Sequence, residues 1–233
     1  SILTYPLGFI GGGKEFYNGV MENSLRFDGT SSYMLRTFTA SNRKTYSFSV
    51  WVKWTGNYDA DNTVFGAGDG TKDTLFLFQS GEQNPWILDR NGANAYHEGE
   101  KAVDPSAWQH YVFVVDSTKV QQIDRCKIYK NGKLESRNDS QQIHSQNYET
   151  AINQAVAHYI GRNPYASSGH FDGYMADMYF IDGYALGPED FGEYKEGAWI
   201  PKAYAGPPPL ITDSSPLNTT LDSGTGVPKL DYD

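Results

Sequence analysis

The sequence FDGYMADMYFIDGYALGPEDFGEY, from Phe171 to Tyr194, holds the strongest structural signal in the chain. Between Phe171 and Phe180, apolar and aromatic residues recur at nearly every second position, which is the period of a strand with one buried face. Asp182 and Gly183 then predict a turn. Pro188–Asp190 predicts the first turn of a short helix, because proline suits that position and acidic residues complement the helix dipole. The stretch therefore predicts a long strand, a turn and one short C-terminal helix.

Length and composition favour one large all-β domain. The chain has 233 residues, 39% of them hydrophobic and 15% aromatic, which is enough to fill the core between two sheets. The net charge of −9 argues against nucleic acid as a partner. No apolar run is long enough to cross a membrane, and residues 1–20 lack a secretion signal. Cys126 is the only cysteine, so no intrachain disulfide forms, which suits assembly in a reducing cytoplasm.

Alternating patterns between Gly, Asp and Asn turns predict the strands along the chain. They are Leu25–Phe27, Tyr33–Arg36, Tyr46–Trp54, Thr63–Ala67, Thr74–Gln79, Trp86–Asp89, Ala95–Glu98, Trp108–Asp116, Cys126–Lys130, His158–Gly161 and Gly173–Ile181. Residues 141–156 lack this pattern and predict a loop with a short helical turn. These patterns divide the chain into three zones: a Gly-rich aromatic N-terminal arm (1–23), a sandwich domain (24–204) and a Pro-rich extended C-terminal arm (205–233).

Several of these segments resemble, in their order, the concanavalin A-like and laminin G-like sandwich family. The segments are LRFDGTSSYM (25–34), YSFSVWVKW (46–54), WQHYVFVVD (108–116), CKIYKNGKL (126–134) and HYIGRN (158–163). The resemblance implies an antiparallel β-sandwich, or jelly roll, over most of the chain. It implies no single activity, because this sandwich hosts lectins, glycanases, receptor modules and virus structural proteins.

A narrower resemblance concerns ADMYFIDGYALGPEDFGEY (176–194), followed by GAWIPKAYAG (197–206). These segments resemble laminin G-like domains of bacteriophage tail and capsid-associated proteins, especially marine ones. The resemblance implies a non-enzymatic virion protein, a capsid decoration or tail-fibre component, assembled in the host cytoplasm. Its partners would be major capsid or tail proteins and further copies of itself. Contacts with them are predicted at Tyr5, Phe9, Trp199 and Tyr204.

Catalytic patterns are weak, and the sequence predicts no enzyme activity. A retaining glucanase needs two carboxylates about 5–5.5 Å apart, hence on the same face of a strand. Asp172 and Asp177 are five residues apart, so alternation predicts opposite faces. Glu98 and Glu100 share parity but lie in a Gly-flanked polar segment typical of solvated charge. The five histidines show no metal-ligand spacing.

The alternative function is a lectin-like module for host-surface glycans. Aromatic residues in or near predicted loops offer stacking surfaces for sugars: Tyr58, Trp86, Tyr96 and Tyr165. Two loops carry oxygen ligands that suit Ca²⁺, namely NYDADN (57–62) with Asp59 and Asp61, and DGTKD (69–73) with Asp69 and Asp73. Ordinary solvated hairpin turns explain the same residues, since Asp, Asn and Gly are what such turns require.

Overall fold

Two large antiparallel β-sheets pack face to face in a computed structural model of the chain. The structure describes residues 20–21, 23–55, 59–91, 93–101, 104, 106–136, 142–165, 168–212, 222–223 and 229–231. The strands are β1 (Ser24–Asp28), β2 (Met34–Thr37), β3 (Thr45–Trp54), β4 (Asn62–Gly68), β5 (Asp73–Phe78), β6 (Pro85–Asn91), β7 (Ala93–Glu98), β8 (Gln109–Asp116), β9 (Cys126–Lys130), β10 (Lys133–Leu134), β11 (Ala157–Ile160), β12 (Asp172–Asp182), β13 (Gly192–Lys195), β14 (Ala198–Pro201), β15 (Ile211–Thr212), β16 (Asp222–Ser223) and β17 (Lys229–Asp231).

The first sheet has the order β10-β9-β8-β3-β12-β1-β17, with β15 also paired to β12. The second sheet has the order β16-β2-β11-β4-β5-β6-β7, and β13 and β14 form a separate hairpin. The all-β sandwich predicted from the sequence is confirmed. It places the long strands β3 and β12 side by side in the middle of the first sheet.

The core between the sheets is largely aromatic. Phe48 on β3 stacks on Phe65 of the facing sheet at 4.8 Å, and Phe76 stacks on Phe113 at 4.9 Å. Period-2 alternation sends Trp54 into this core and Trp51 to the outer face of the same sheet. The outer face of the first sheet therefore carries an aromatic cluster of its own, which includes Trp51, Trp108 and Trp199.

The predicted C-terminal helix is wrong. Pro188–Asp190 forms only a single 3-10 turn, and the chain then enters the β13–β14 hairpin. Phe191, fully buried beside Tyr179, fixes the chain directly after that turn, so a longer helix cannot form. Among the described residues, no helix is long and apolar enough to span a membrane.

The C-terminal segment lies along the edges of both sheets. β15 pairs with β12, β16 with β2 and β17 with β1, all antiparallel. The hairpin and the segment after it cover the outer face of the first sheet, where Phe191 and Tyr204 pack against apolar side chains of β8 and β12. This covered face holds the site described next.

Candidate functional site

A pocket of about 540 Å³ opens on the outer face of the first sheet, between the β9–β10 turn and the β13–β14 hairpin. Its lining residues are Trp51, Glu100, Trp108, Lys130, Asn131, Lys133, Leu134, Glu135, Tyr194, Gly197 and Trp199. We call it the tryptophan pocket, after the three tryptophans. Its volume falls in the range of small-molecule sites, roughly 300–1,000 Å³.

Four of the eleven lining residues are aromatic. Trp51 is buried, Trp108 and Trp199 are partly buried, and Tyr194 is 50% exposed. The rings of Tyr194 and Trp199 meet edge to face, with centroids 4.9 Å apart. The Tyr194 hydroxyl donates to the Asn131 carbonyl oxygen at 2.7 Å, which ties the hairpin to the β9–β10 turn. The wall therefore combines flat apolar surface with fixed polar edges.

His110 fixes the Trp199 ring from beneath. Trp199 Nε1 donates to His110 Nδ1 at 2.9 Å, so the neutral imidazole carries its proton on Nε2 and donates to Ser49 Oγ at 2.8 Å. Burial lowers the pKa of His110 to about 3, which keeps this ring neutral. The Trp51 ring stacks on the same imidazole at 5.0 Å. His110 thus holds two of the three tryptophans in place, Trp199 through the hydrogen bond and Trp51 through stacking.

Two glycines let Trp199 lie flat on the turn. A Cβ atom at Gly132 or at Gly192 would come within 2.5 Å of the Trp199 ring. Gly132 also has a φ of +80° in the Asn131-Gly132 turn, a conformation that side chains other than glycine rarely adopt. The turn thus supports the pocket wall, since Asn131 lines the pocket and Gly132 lies against the Trp199 ring.

Two acidic residues, Glu100 and Glu135, line the same pocket. Glu135 is buried and accepts the backbone N–H of Glu100 at 2.7 Å, while the Glu100 side chain is exposed. Burial raises the pKa of Glu135, although the Glu100 N–H and the Lys130 ammonium both act to lower it. The sequence did not predict this pair, because several strands separate Glu100 from Glu135 along the chain and no local pattern shows that the two residues lie close together.

The aromatic residues predicted to bind glycans lie elsewhere. Trp86 on β6 and Tyr96 on β7 stack at 5.1 Å on the second sheet. Tyr165 is 61% exposed, with the Arg90 guanidinium 5.3 Å from its ring centroid. Tyr58 lies outside the described residues. None of the three described rings lines the tryptophan pocket.

The acidic residues predicted as Ca²⁺ ligands hold local structure. Asp61 accepts the N–H of Ser80 at 2.9 Å. Hydrogen bonds from the hydroxyl and N–H of Thr71 lower the pKa of Asp69 to about 2. Asp73 is buried and binds Arg90 through both carboxylate oxygens at 2.9 Å.

Asp59, in the 57–62 loop, is exposed. Within the described ranges, no three or more His, Cys, Asp or Glu side chains come together as a metal site. Ca²⁺ binding stays a prediction.

The residues predicted to contact partners pack within the chain where the structure describes them. Trp199 lines the pocket, and Tyr204 stacks on Phe191 at 5.2 Å and donates from its hydroxyl to the Pro207 carbonyl at 2.7 Å. Tyr5 and Phe9 lie outside the described residues.

Two arrangements resemble nucleophile and base pairs, yet neither offers a nucleophile to a bound molecule. His110 donates to Ser49, so this tautomer cannot accept the serine proton. Cys126 Sγ lies 3.5 Å from His144 Nδ1, and His144 Nε2 lies 3.5 Å from Asp89 Oδ2. These three side chains are buried between the sheets and away from the pocket.

Comparison with known proteins identifies the fold of the chain but does not point to one particular activity. The family model of the concanavalin A-like lectin/glucanases superfamily matches residues 27–190. The heptameric SAP-like pentraxin of Limulus polyphemus is similar at a TM-score of 0.52 and 13% identity, covering 71% of this chain and 77% of that one. Domain 4 of AbnA, a GH43 extracellular arabinanase from Geobacillus stearothermophilus in complex with arabinotriose, is similar at a TM-score of 0.51 and 20% identity, covering 70% and 72%. Comparison with curated proteins finds no match.

Proposed function

The chain belongs to the concanavalin A-like lectin/glucanases superfamily, and from this premise we propose that it is a non-catalytic carbohydrate-binding domain. The ligand occupies the tryptophan pocket on the outer face of the first sheet. One observation carries the proposal: Trp108, Trp199 and Tyr194 share a single cavity with Glu100 and Asn131. Superfamily membership alone supports only a lectin-like fold.

The chemistry of this lining suits a sugar. A pyranose ring presents an apolar C–H face and a rim of hydroxyl groups, so it needs flat aromatic surface beside hydrogen-bonding groups. Trp108 and Trp199 supply the aromatic faces, and the Glu100 carboxylate is an acceptor for hydroxyl protons. Because His110 already fixes the Trp199 ring, little side-chain order must be gained on binding.

A glycan array followed by calorimetry with Trp108→Ala tests the proposal. Trp108 is only partly buried, so the variant should fold, and loss of its stacking surface should weaken sugar binding at least about tenfold. Trp86→Ala on the second sheet is the matched control and should bind like the parent chain. If Trp86→Ala loses binding and Trp108→Ala keeps it, the site is the aromatic cluster predicted from the sequence instead.

We also propose a bacteriophage particle as the setting, on the resemblance of residues 176–206 alone. A sugar-binding domain on the outside of a virion would contact host-surface glycans, so the two proposals are compatible. Partners would then include capsid or tail proteins. Cryo-electron microscopy of purified particles tests this setting, and absence of the chain from the particles would contradict it.

A further inference from the structure

We infer that the tryptophan pocket selects uncharged sugars over sugars that carry a carboxylate. This inference rests on the proposed function and names the ligand class of the same site. Three features of the lining support it: the sum of its charges, the kind of basic residue that it contains, and the burial of one of its carboxylates.

The formal charges of the lining residues cancel. Glu100 and Glu135 contribute two negative charges, and Lys130 and Lys133 contribute two positive ones. Lys130 already acts on Glu135, since its ammonium contributes to lowering the pKa of that carboxyl. An incoming carboxylate would therefore meet no excess of positive charge.

Arginine is absent from the lining residues that the structure describes. Its planar guanidinium binds carboxylates through two parallel hydrogen bonds, which lysine cannot match. Three arginines elsewhere in the described chain bind carboxylates: Arg26 with Asp172 and Arg90 with Asp73, both at 2.9 Å, and Arg43 with Glu149 at 3.2 Å. Among the described lining residues, the group best suited to an acidic sugar is therefore missing.

Burial of Glu135 acts in the same direction, because repulsion between like charges is stronger where water is partly excluded. The Glu135 carboxylate accepts the backbone N–H of Glu100 at 2.7 Å, a hydrogen bond that favours its charged form. A second carboxylate placed beside it would add like-charge repulsion in a partly desolvated site. The net charge of −9 for the whole chain also opposes the approach of polyanionic glycans.

Matched oligosaccharide pairs test the inference on the full chain. The probes are oligomers of glucose, galactose and mannose beside the corresponding glucuronic, galacturonic and mannuronic acid oligomers. We expect the neutral member of the bound pair to bind at least about tenfold more tightly. Equal or tighter binding of the acidic member overturns the inference and leaves carbohydrate binding intact. Binding to no member of any pair overturns the proposed function and the inference together.

Glu100→Arg sharpens the test by changing one exposed side chain at the pocket. The variant replaces a carboxylate with a guanidinium, so it should reduce the neutral-to-acidic affinity ratio at least about tenfold. Glu193→Arg is the matched control, because Glu193 is exposed on β13 but does not line the pocket. The control should leave the ratio nearly unchanged. Equal shifts in both variants would show that overall charge, and not the pocket, sets the preference, which overturns the inference.

Discussion

Asp177 is a buried carboxyl group in a β-bulge of β12, where its φ of 49° lies in the left-handed region. Its Oδ1 accepts the Tyr179 hydroxyl at 2.8 Å, and no described group hydrogen-bonds its Oδ2. The bulge interrupts the alternation between Asp172 and Asp177, so the parity rule that predicted opposite faces does not apply here. Burial raises the pKa of Asp177 to about 6, and the Tyr179 hydrogen bond offsets part of that rise.

Asp177→Asn should stabilise the protein at neutral pH. The folded state keeps the Asp177 proton up to about pH 6, whereas the unfolded chain loses it near 3.8. Stability should therefore fall as pH rises through this window, by roughly 2–3 kcal/mol in total. Asparagine mimics the protonated acid and tolerates a positive φ. Urea unfolding at about pH 4 and about pH 7.5 measures the difference, expected to be near zero at the lower pH and large at the higher one.

A second variant distinguishes the effect of Asp177 titration on stability from the effect of packing. Tyr179→Phe removes the hydroxyl whose hydrogen bond Asp177 accepts, so it should raise the pKa of Asp177 further and enlarge the total loss of stability between low and high pH. If Asp177→Asn shifts stability equally at both pH values, titration of Asp177 is not the cause.

At the scale of elements, the β13–β14 hairpin decides whether the pocket exists. Its sequence, GEYKEGAWIP (192–201), directly follows the helix-start signal at Pro188–Asp190, which forms only a single 3-10 turn. Glu196 and Gly197 have φ values of 48° and 86°, which is the geometry of a tight hairpin turn. Gly197, flanked by alternating residues, was the local sign of a hairpin. Contacts distant in sequence show where the hairpin docks: Trp199 lies against Gly132 and donates to His110, and Tyr194 donates to Asn131.

The hydrogen bond between Trp199 and His110 should be measurable as coupling in sugar binding. His110→Phe keeps an aromatic ring against Trp51 but removes the acceptor, and Trp199→Phe removes the donor. Each single variant should weaken binding, and the double variant should weaken it by about 1 kcal/mol less than the sum of the two. Calorimetry of the four proteins gives this cycle.

Ser49→Ala is the control for the other hydrogen bond of His110. It removes the partner of Nε2 and leaves the bond from Trp199 in place, so sugar affinity should change little. Fully additive losses in the cycle would contradict a positioning role for His110, even if thermal unfolding shows that every variant is less stable.

At the scale of the whole molecule, local patterns predicted the sandwich but not the site. The strands β3 and β12 were predicted to within about two residues, because alternation and turn residues are local signals. The pocket depends on distances that no local pattern encodes. Glu100 contacts Glu135 although three strands separate them in the chain, and Trp199 reaches His110 across 89 residues. Trp199 was predicted as a contact residue because of its place in the chain, whereas its role depends on the docking of the hairpin.

The C-terminal segment should contribute to the stability of the sandwich. Ile211 is 4% exposed and belongs to the main core, while β16 and β17 cover the edges of β2 and β1. A chain ending at Tyr204 should lose at least about 2 kcal/mol of stability from the removal of Ile211 alone. It should also self-associate, because bare strand edges template further pairing. Denaturant unfolding and light scattering, compared with the full chain, measure both effects.

Ile211→Ala in the full chain distinguishes the two effects of truncation. It removes most of the buried side chain but keeps the edge strands paired, so it should lower stability without changing the oligomeric state of the parent. Self-association confined to the truncated chain would mean that edge coverage is a separate role of the segment. A truncated chain as stable as the parent would show instead that the sandwich is complete at Tyr204, and that residues 205–233 act outside it.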